Sequence, residues 1–273
     1  MNRIDRLFAE KKGPVLSVYT TAGFPGLNDT PDVLRYLEKH GADLVEIGMP
    51  FSDPLADGPV IQKSSQKALE NGMSLATLFS QLRDIRSQVR MPLVLMGYLN
   101  PVLQYGMDRV LEECLRCGID GLILPDLPPE IYETEYKPMF EAAGIHLILL
   151  VTPQTERERA EWLASLSGGF LYLVADAATT GAKGAIRPEQ EAYFQRIRDM
   201  NLPLPGLVGF GISSGETFRI ASAHARGAII GSAFIRALEG DGALEGDGAL
   251  EDRIRGFLEG ILGSDPPLSG SRQ

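Results

Sequence analysis

The chain has 273 residues, 44% of them hydrophobic and 23% charged, an ordinary balance for a globular protein. Its net charge of -10 argues against nucleic acid or an anionic membrane surface as partner, since both demand a positive face. No apolar run approaches the roughly 20 residues of a membrane span, and the first residues lack the apolar core of a signal peptide. A cytoplasmic location is expected.

Ile4, Leu7 and Phe8 fall at helical spacing and predict a short amphipathic helix at the N-terminus. A strand follows at 15–19, then a helix opened by Asp29-Thr30-Pro31 and closed at His40-Gly41. The second strand, 43–47, leads into a long connection and two helical pieces, 61–70 and 75–89. Further strands are read at 93–96, 121–124, 146–150, 170–174, 206–209 and 228–230. Between them lie helices at 107–117, 131–143, 156–166 and 188–200, and one opened by a capping box over 213–216; another begins at Ser232. Eight strands in near-continuous Val/Ile/Leu runs, each followed by a helix, specify a parallel sheet covered by helices. Eight repeats without a change of character favour closure into a (β/α)8 TIM barrel, an α/β fold. The expectation is therefore a single barrel domain over 1–273, with an N-terminal helix and extra helical pieces after the second strand.

Two features are set aside on physical grounds. Cys114 and Cys117 form a C-x-x-C pair, but late in a helix and without further ligands nearby, so they read as half-buried thiols. Residues 237–252 repeat the unit Ala-Leu-Glu-Gly-Asp-Gly and carry six acidic side chains. The spacing is wrong for an EF-hand, so the repeat reads as a solvated acidic loop before a final helix at 253–262. Residues 264–273 read as a frayed end.

The chemistry concentrates around 44–59. Glu46 is a lone carboxylate inside the apolar run Leu44-Val45-Glu46-Ile47, where ionisation costs hydration that is hard to recover. It is either a structural carboxyl satisfied by backbone donors or a functional one. The strand breaks at Gly48 and Pro50 into a proline-rich loop with two more carboxylates, Asp53 and Asp57. Loops at this end of barrel strands hold active sites. At the far side, Gly209-Phe210-Gly211 and Gly231-Ser232 end the last two strands, and a helix starts at Ser232. Glycine backbone N–H groups and a helix N-terminus suit a phosphate. Residues 175–187 are small and flexible, as a mobile cover would be, and Gly181 and Gly184 within them offer further donors. Tyr19, Phe51, Ile61, Leu124, Tyr172 and Phe210 supply apolar walls. With no metal cluster and no nucleophile–base arrangement in view, these groups suggest proton transfer on a phosphorylated substrate with a flat apolar part.

The stretch Leu-Val-Glu-Ile-Gly-Met-Pro-Phe-Ser-Asp-Pro-Leu-Ala-Asp-Gly-Pro-Val-Ile-Gln, 44–62, closely resembles the signature of the tryptophan synthase α subunit family. The resemblance runs from Tyr19-Thr20-Thr21-Ala22-Gly23 through Gly209-Phe210-Gly211-Ile212-Ser213 to Gly231-Ser232-Ala233. It implies a TIM-barrel carbon–carbon lyase that cleaves indole-3-glycerol phosphate to indole and glyceraldehyde 3-phosphate in tryptophan biosynthesis. It also implies an α2β2 complex with a β subunit, which receives indole through a tunnel and carries pyridoxal phosphate; no cofactor or metal is expected in this chain. Carried over by position, Glu46 matches the acid/base residue, Asp57 the carboxylate at the indole N–H, and Tyr172 an orienting tyrosine. Gly181, Gly211, Gly231 and Ser232 match phosphate-binding positions. Tyr19, Ile61 and Phe210 would line the indole pocket, and Asp53 would contact the partner.

Two departures stand out. The family pattern Ser-Arg-x-Gly-Val-Thr-Gly is here Ala-Asp-Ala-Ala-Thr-Thr-Gly, with Asp176 in place of the arginine. The Gly-Asp-Gly repeat has no counterpart in the pattern. Two rival readings remain, another phosphosugar barrel enzyme such as an isomerase, or a catalytically quiet subunit that activates its partner.

Overall fold

The computed structural model describes residues 1–175, 188–209, 211–239 and 247–263. Its strands are β1 (Val15–Thr21), β2 (Leu44–Gly48), β3 (Leu93–Met96), β4 (Gly121–Ile123), β5 (His146–Leu147), β6 (Leu150–Val151), β7 (Leu171–Val174), β8 (Gly206–Gly209) and β9 (Gly227–Ile230). All pair in parallel, in the order β5-β4-β3-β2-β1-β9-β8-β7-β6. The two ends of that order are halves of one strand, expected unbroken over 146–150. The first half pairs with β4 and the second with β7. Between them Ile148 N–H donates to the Leu122 carbonyl at 2.9 Å and Tyr172 N–H to the Leu149 carbonyl at 3.0 Å, which carries the ladder across the break. The sheet is thus a closed (β/α)8 barrel, as expected.

Side-chain alternation sorts the strand residues into two cores. Val15, Leu44, Val94, Ile123, Ile148, Phe170, Leu207 and Ile229 cluster inside the barrel. Their neighbours in sequence, among them Leu16, Val45, Leu93, Leu122, Leu171, Val208 and Ala228, pack outward under the helices. Both faces of the sheet are largely apolar, hence the near-continuous runs in the sequence. The N-terminal helix, Arg3–Glu10, closes the lower mouth. Ile4 is fully buried in the inner cluster, and Arg3 pairs with Asp120 at 2.9 Å.

Local differences from the expected elements have physical causes. The helix expected over 131–143 is three pieces, Pro129–Ile131, a wide turn at Tyr132–Tyr136, and Lys137–Ala143. Pro138 lacks the N–H that a continuous α-helix would use, and the wide turn just before it absorbs the mismatch. A short helix, Leu99–Tyr105, precedes the expected one at Met107–Cys117. Its Pro101 sits in the first turn, where proline is tolerated. The stretch 75–89 is helical only over Leu75–Leu82, with a single tight turn at Ile85–Ser87. The capping box belongs to Ser214 and Thr217 rather than to Ser213 and Glu216. The final helix is Asp247–Leu262, six residues longer than expected, so the last copy of the acidic repeat is helical rather than loop. Ala249 is buried there, and Glu251 accepts from Lys39 Nζ at 2.6 Å and lies 3.0 Å from His40 Nε2. These contacts fix the helix to Thr30–Lys39. No helix among the described residues is long and apolar enough to cross a membrane.

Candidate active site

Parallel register puts Glu46 of β2 beside Tyr19 of β1 and Val94 of β3. Glu46 therefore points into the barrel. Its side chain is wholly buried; Oε1 accepts from Ser17 Oγ at 3.1 Å, and Oε2 has no hydrogen-bond partner. Among the described residues no backbone donor reaches it, which is the contact a structural carboxyl would be expected to make. Burial pushes its carboxyl up to about 8, with the Ser17 hydrogen bond pulling weakly the other way.

Two tyrosines flank this carboxyl, and glycine makes room for both. A Cβ at Gly48 would lie 2.0 Å from Tyr19 Oη, and one at Gly209 would lie 2.3 Å from the Tyr172 ring. Any larger residue at either position would displace a ring. Burial raises both hydroxyls well above the ordinary tyrosine range, and nearby Glu46 and Asp57 add to the effect. The tyrosines stay neutral, as donors and as packing surface.

Asp57 reaches the same mouth from the loop after β2. Its Oδ2 accepts from Tyr98 Oη at 2.9 Å, and that oxygen accepts in turn from Ala56 N–H at 3.0 Å. Gln62 Nε2 holds the Asp57 carbonyl at 2.9 Å. The loop is therefore pinned at both ends of Asp57. Burial raises the Asp57 carboxyl, opposed by the Tyr98 hydrogen bond.

A cavity of about 560 Å³ opens at this face. Tyr19, Ile61 and Tyr172 line it with Asp57 on one side, and Gly211, Gly231 and Ser232 line it on the other. Seven of the residues singled out in the sequence thus converge on one space. Glu46 does not itself border it, but its neighbours Tyr19 and Tyr172 do. Ser232 opens the helix Ser232–Glu239, whose first N–H groups have no partner within the helix. Asp53 is exposed, outside the cavity, beside Leu55, whose side chain is 93% exposed. Gly181, Gly184 and Asp176 of the expected cover, and Phe210, lie outside the described residues.

Three contributors escape the sequence. Tyr98 lies two residues past β3, at the end of the barrel where active-site loops begin, and that position was the available signal. Ser17 gives no such signal, being one polar residue in a strand. Arg236 also lines the cavity, and its spacing of four from Ser232 could have marked it.

The tryptophan synthase alpha chain family model matches residues 6–254. The chain belongs to the tryptophan synthase alpha chain family. It is 52% identical over 243 residues to the alpha chain of Flavobacterium johnsoniae, covering 89% of this chain and 96% of that one. The alpha chain of Parabacteroides distasonis is 51% identical over 241 residues, 88% of this chain and 94% of its own. Among solved structures, the alpha chain of Legionella pneumophila superposes with a TM-score of 0.83 at 33% identity, over 97% of this chain and 100% of that one. A tryptophan synthase chain from M. tuberculosis, in an aminoacrylate-bound form, superposes at 0.80 with 26% identity, over 96% and 100%.

Proposed function

We propose that Glu46 and Asp57 carry out the retro-aldol cleavage of indole-3-glycerol phosphate to indole and glyceraldehyde 3-phosphate. Protonated Glu46 gives its proton to indole C3, leaving positive charge on the ring nitrogen. Asp57 accepts a hydrogen bond from that N–H and stabilises the charge. The Glu46 carboxylate then takes the proton of the side-chain hydroxyl next to C3. The hydroxyl carbon becomes the aldehyde, the bond to C3 breaks, and its electron pair restores the neutral indole. One proton is given and one recovered, so Glu46 ends as it began.

The observation that carries this reading is the state of Glu46. A carboxyl at about 8 is mostly protonated near neutral pH, ready to act first as an acid and then as a base. Among the described residues one hydrogen bond, from Ser17, holds it, so turning toward the cavity breaks one hydrogen bond. Tyr172 and Tyr19 orient the pair, and Tyr19, Ile61 and Phe210 hold the indole. Gly181, Gly211, Gly231 and Ser232 take the phosphate.

As an alpha chain, the protein works with a β subunit in an α2β2 assembly. Its partner converts indole and serine to tryptophan with pyridoxal phosphate; this chain brings no cofactor of its own. Asp53 and the exposed Leu55 form the contact, on the same loop as Asp57, so docking can alter the site by favouring one loop state. The complex is cytoplasmic.

The test is indole release from indole-3-glycerol phosphate by the isolated chain and by the chain with a matched β subunit. We expect indole and glyceraldehyde 3-phosphate in equal amounts, formed faster with the partner. No indole in either case would overturn the assignment.

A further inference from the structure

The cavity wall carries one anionic and one cationic side chain among the described residues, Asp57 and Arg236. Asp57 belongs to the proton-transfer side. Arg236 has no role in the reaction as derived above.

Its position constrains what it can do. Arg236 lies four residues after Ser232 on Ser232–Glu239, so the two share a helix face. Helical side chains lean toward the N-terminus of their helix, which carries the guanidinium back toward Gly231 and Ser232. The side chain is exposed at the rim. Glu239, the carboxylate three residues on, pairs instead with Lys63 at 3.4 Å. Arg236 has no ion-pair partner among the described residues. The whole chain is acidic, at -10, so a dianion entering this mouth meets an unfavourable long-range field. The backbone donors at Gly211, Gly231 and Ser232 are neutral. A guanidinium is the side chain best matched to a phosphate, by charge and by its planar fork of donors.

We propose that Arg236 supplies the side-chain charge that binds the substrate's phosphate and sets the preference for a phosphorylated substrate. The inference rests on the retro-aldol reading. It makes Arg236 a binding and specificity residue at a distance from the bond that breaks. The phosphate keeps its charge through the reaction, so Arg236 binds ground state and transition state alike. Its loss raises KM and leaves kcat in place.

The experiment uses the chain assembled with its β subunit, comparing wild type, Arg236→Gln and Arg236→Lys. Arg236→Gln should raise KM for indole-3-glycerol phosphate about tenfold with kcat within twofold, and Arg236→Lys should recover most of the loss. Added salt should raise the wild-type KM more steeply than that of Arg236→Gln. A substrate analogue lacking the phosphate should bind wild type and Arg236→Gln equally, which a merely structural role would not produce. Inorganic phosphate, titrated by calorimetry, should bind Arg236→Gln about tenfold more weakly. That arm reads the site even if no cleavage is found, so it separates this proposal from the assignment of the reaction. A KM and a phosphate affinity both within twofold of wild type would overturn it. So would an equal loss of binding for the phosphate-free analogue.

Discussion

Asp120 and Glu46 are buried against strands of one barrel, 3% and 0% exposed, and their surroundings are opposite. Asp120 sits at the lower mouth, where Arg3 meets it at 2.9 Å and Arg86 at 2.6 Å, and Leu93 N–H donates to it at 3.0 Å. Glu46 sits toward the upper mouth, where among the described residues Ser17 is its one hydrogen-bond donor and no cation is in contact. The lower carboxylate is paired to hold the N-terminal helix and the strand ends together. The upper one is left under-satisfied in an apolar setting, which keeps its proton available. Burial alone therefore does not keep a carboxyl protonated; burial without a charge partner and with few donors does, and that is the state the proposed acid/base role requires.

The largest consequence should appear in the rate. Glu46→Gln keeps shape and loses proton transfer, so cleavage should fall by roughly 10³-fold or more while substrate still binds. Steady-state indole formation together with equilibrium binding measures both. Near-wild-type turnover would remove Glu46 from the acid/base role and dissolve the contrast with Asp120.

Stability should separate the two sites with opposite signs. Asp120→Ala leaves Arg86 buried without its charge partner and should cost about 3 kcal/mol or more. For Glu46 the folded carboxyl titrates at about 8 against 4.5 for the free group. The folded state therefore holds a proton that the unfolded state releases, and wild-type stability falls as pH rises from 4.5 to about 8. Glutamine does not titrate, so Glu46→Gln should be more stable than wild type at pH 8, by at most about 4–5 kcal/mol. The gap should close toward pH 5. Urea unfolding at three pH values checks this, and a pH-independent difference would contradict the raised carboxyl.

The contrast was half legible in the sequence. Glu46 stood out because it is the one charge inside the apolar run 44–47, and the barrel stood out because the strands read as near-continuous apolar runs. The partners of each carboxylate were not legible, because they come from across the fold. Ser17 reaches Glu46 only through β1–β2 register, and Arg86 reaches Asp120 across 34 residues. Tyr98 meets Asp57 across 41 residues, through a loop whose path no local pattern encodes. The break between β5 and β6 was also hidden, since the apolar run continues through it.

Asp57 lies between the two extremes, with one side-chain donor among the described residues, Tyr98. Tyr98→Phe removes that donor and the acceptor for Ala56 N–H, loosening the loop. Cleavage should fall about tenfold, and Asp57→Asn should act more mildly than Glu46→Gln because its amide oxygen still accepts the indole N–H. A Tyr98→Phe enzyme with unchanged kcat and KM would show that Asp57 needs no fixed orientation.

Glu251 extends the comparison to a surface carboxylate. It is paired, as Asp120 is, but Lys39 is 61% exposed, and such pairs contribute about 0–1 kcal/mol. Shortening the repeat before it should therefore matter least of all. Removing 243–248 deletes one copy and places Gly240-Asp241-Gly242 directly before Ala249. Three residues remain to join the two helices, within the range of about two to eight common for such connections. The final helix then opens at Ala249 rather than Asp247, and Ala249 and Glu251 keep their contacts. We expect cleavage within twofold of the parent, β-subunit affinity unchanged, and a stability loss under about 1 kcal/mol. A large loss of affinity would mean that the repeat touches the partner. A large loss of stability would mean that the deleted residues help to hold the final helix in place.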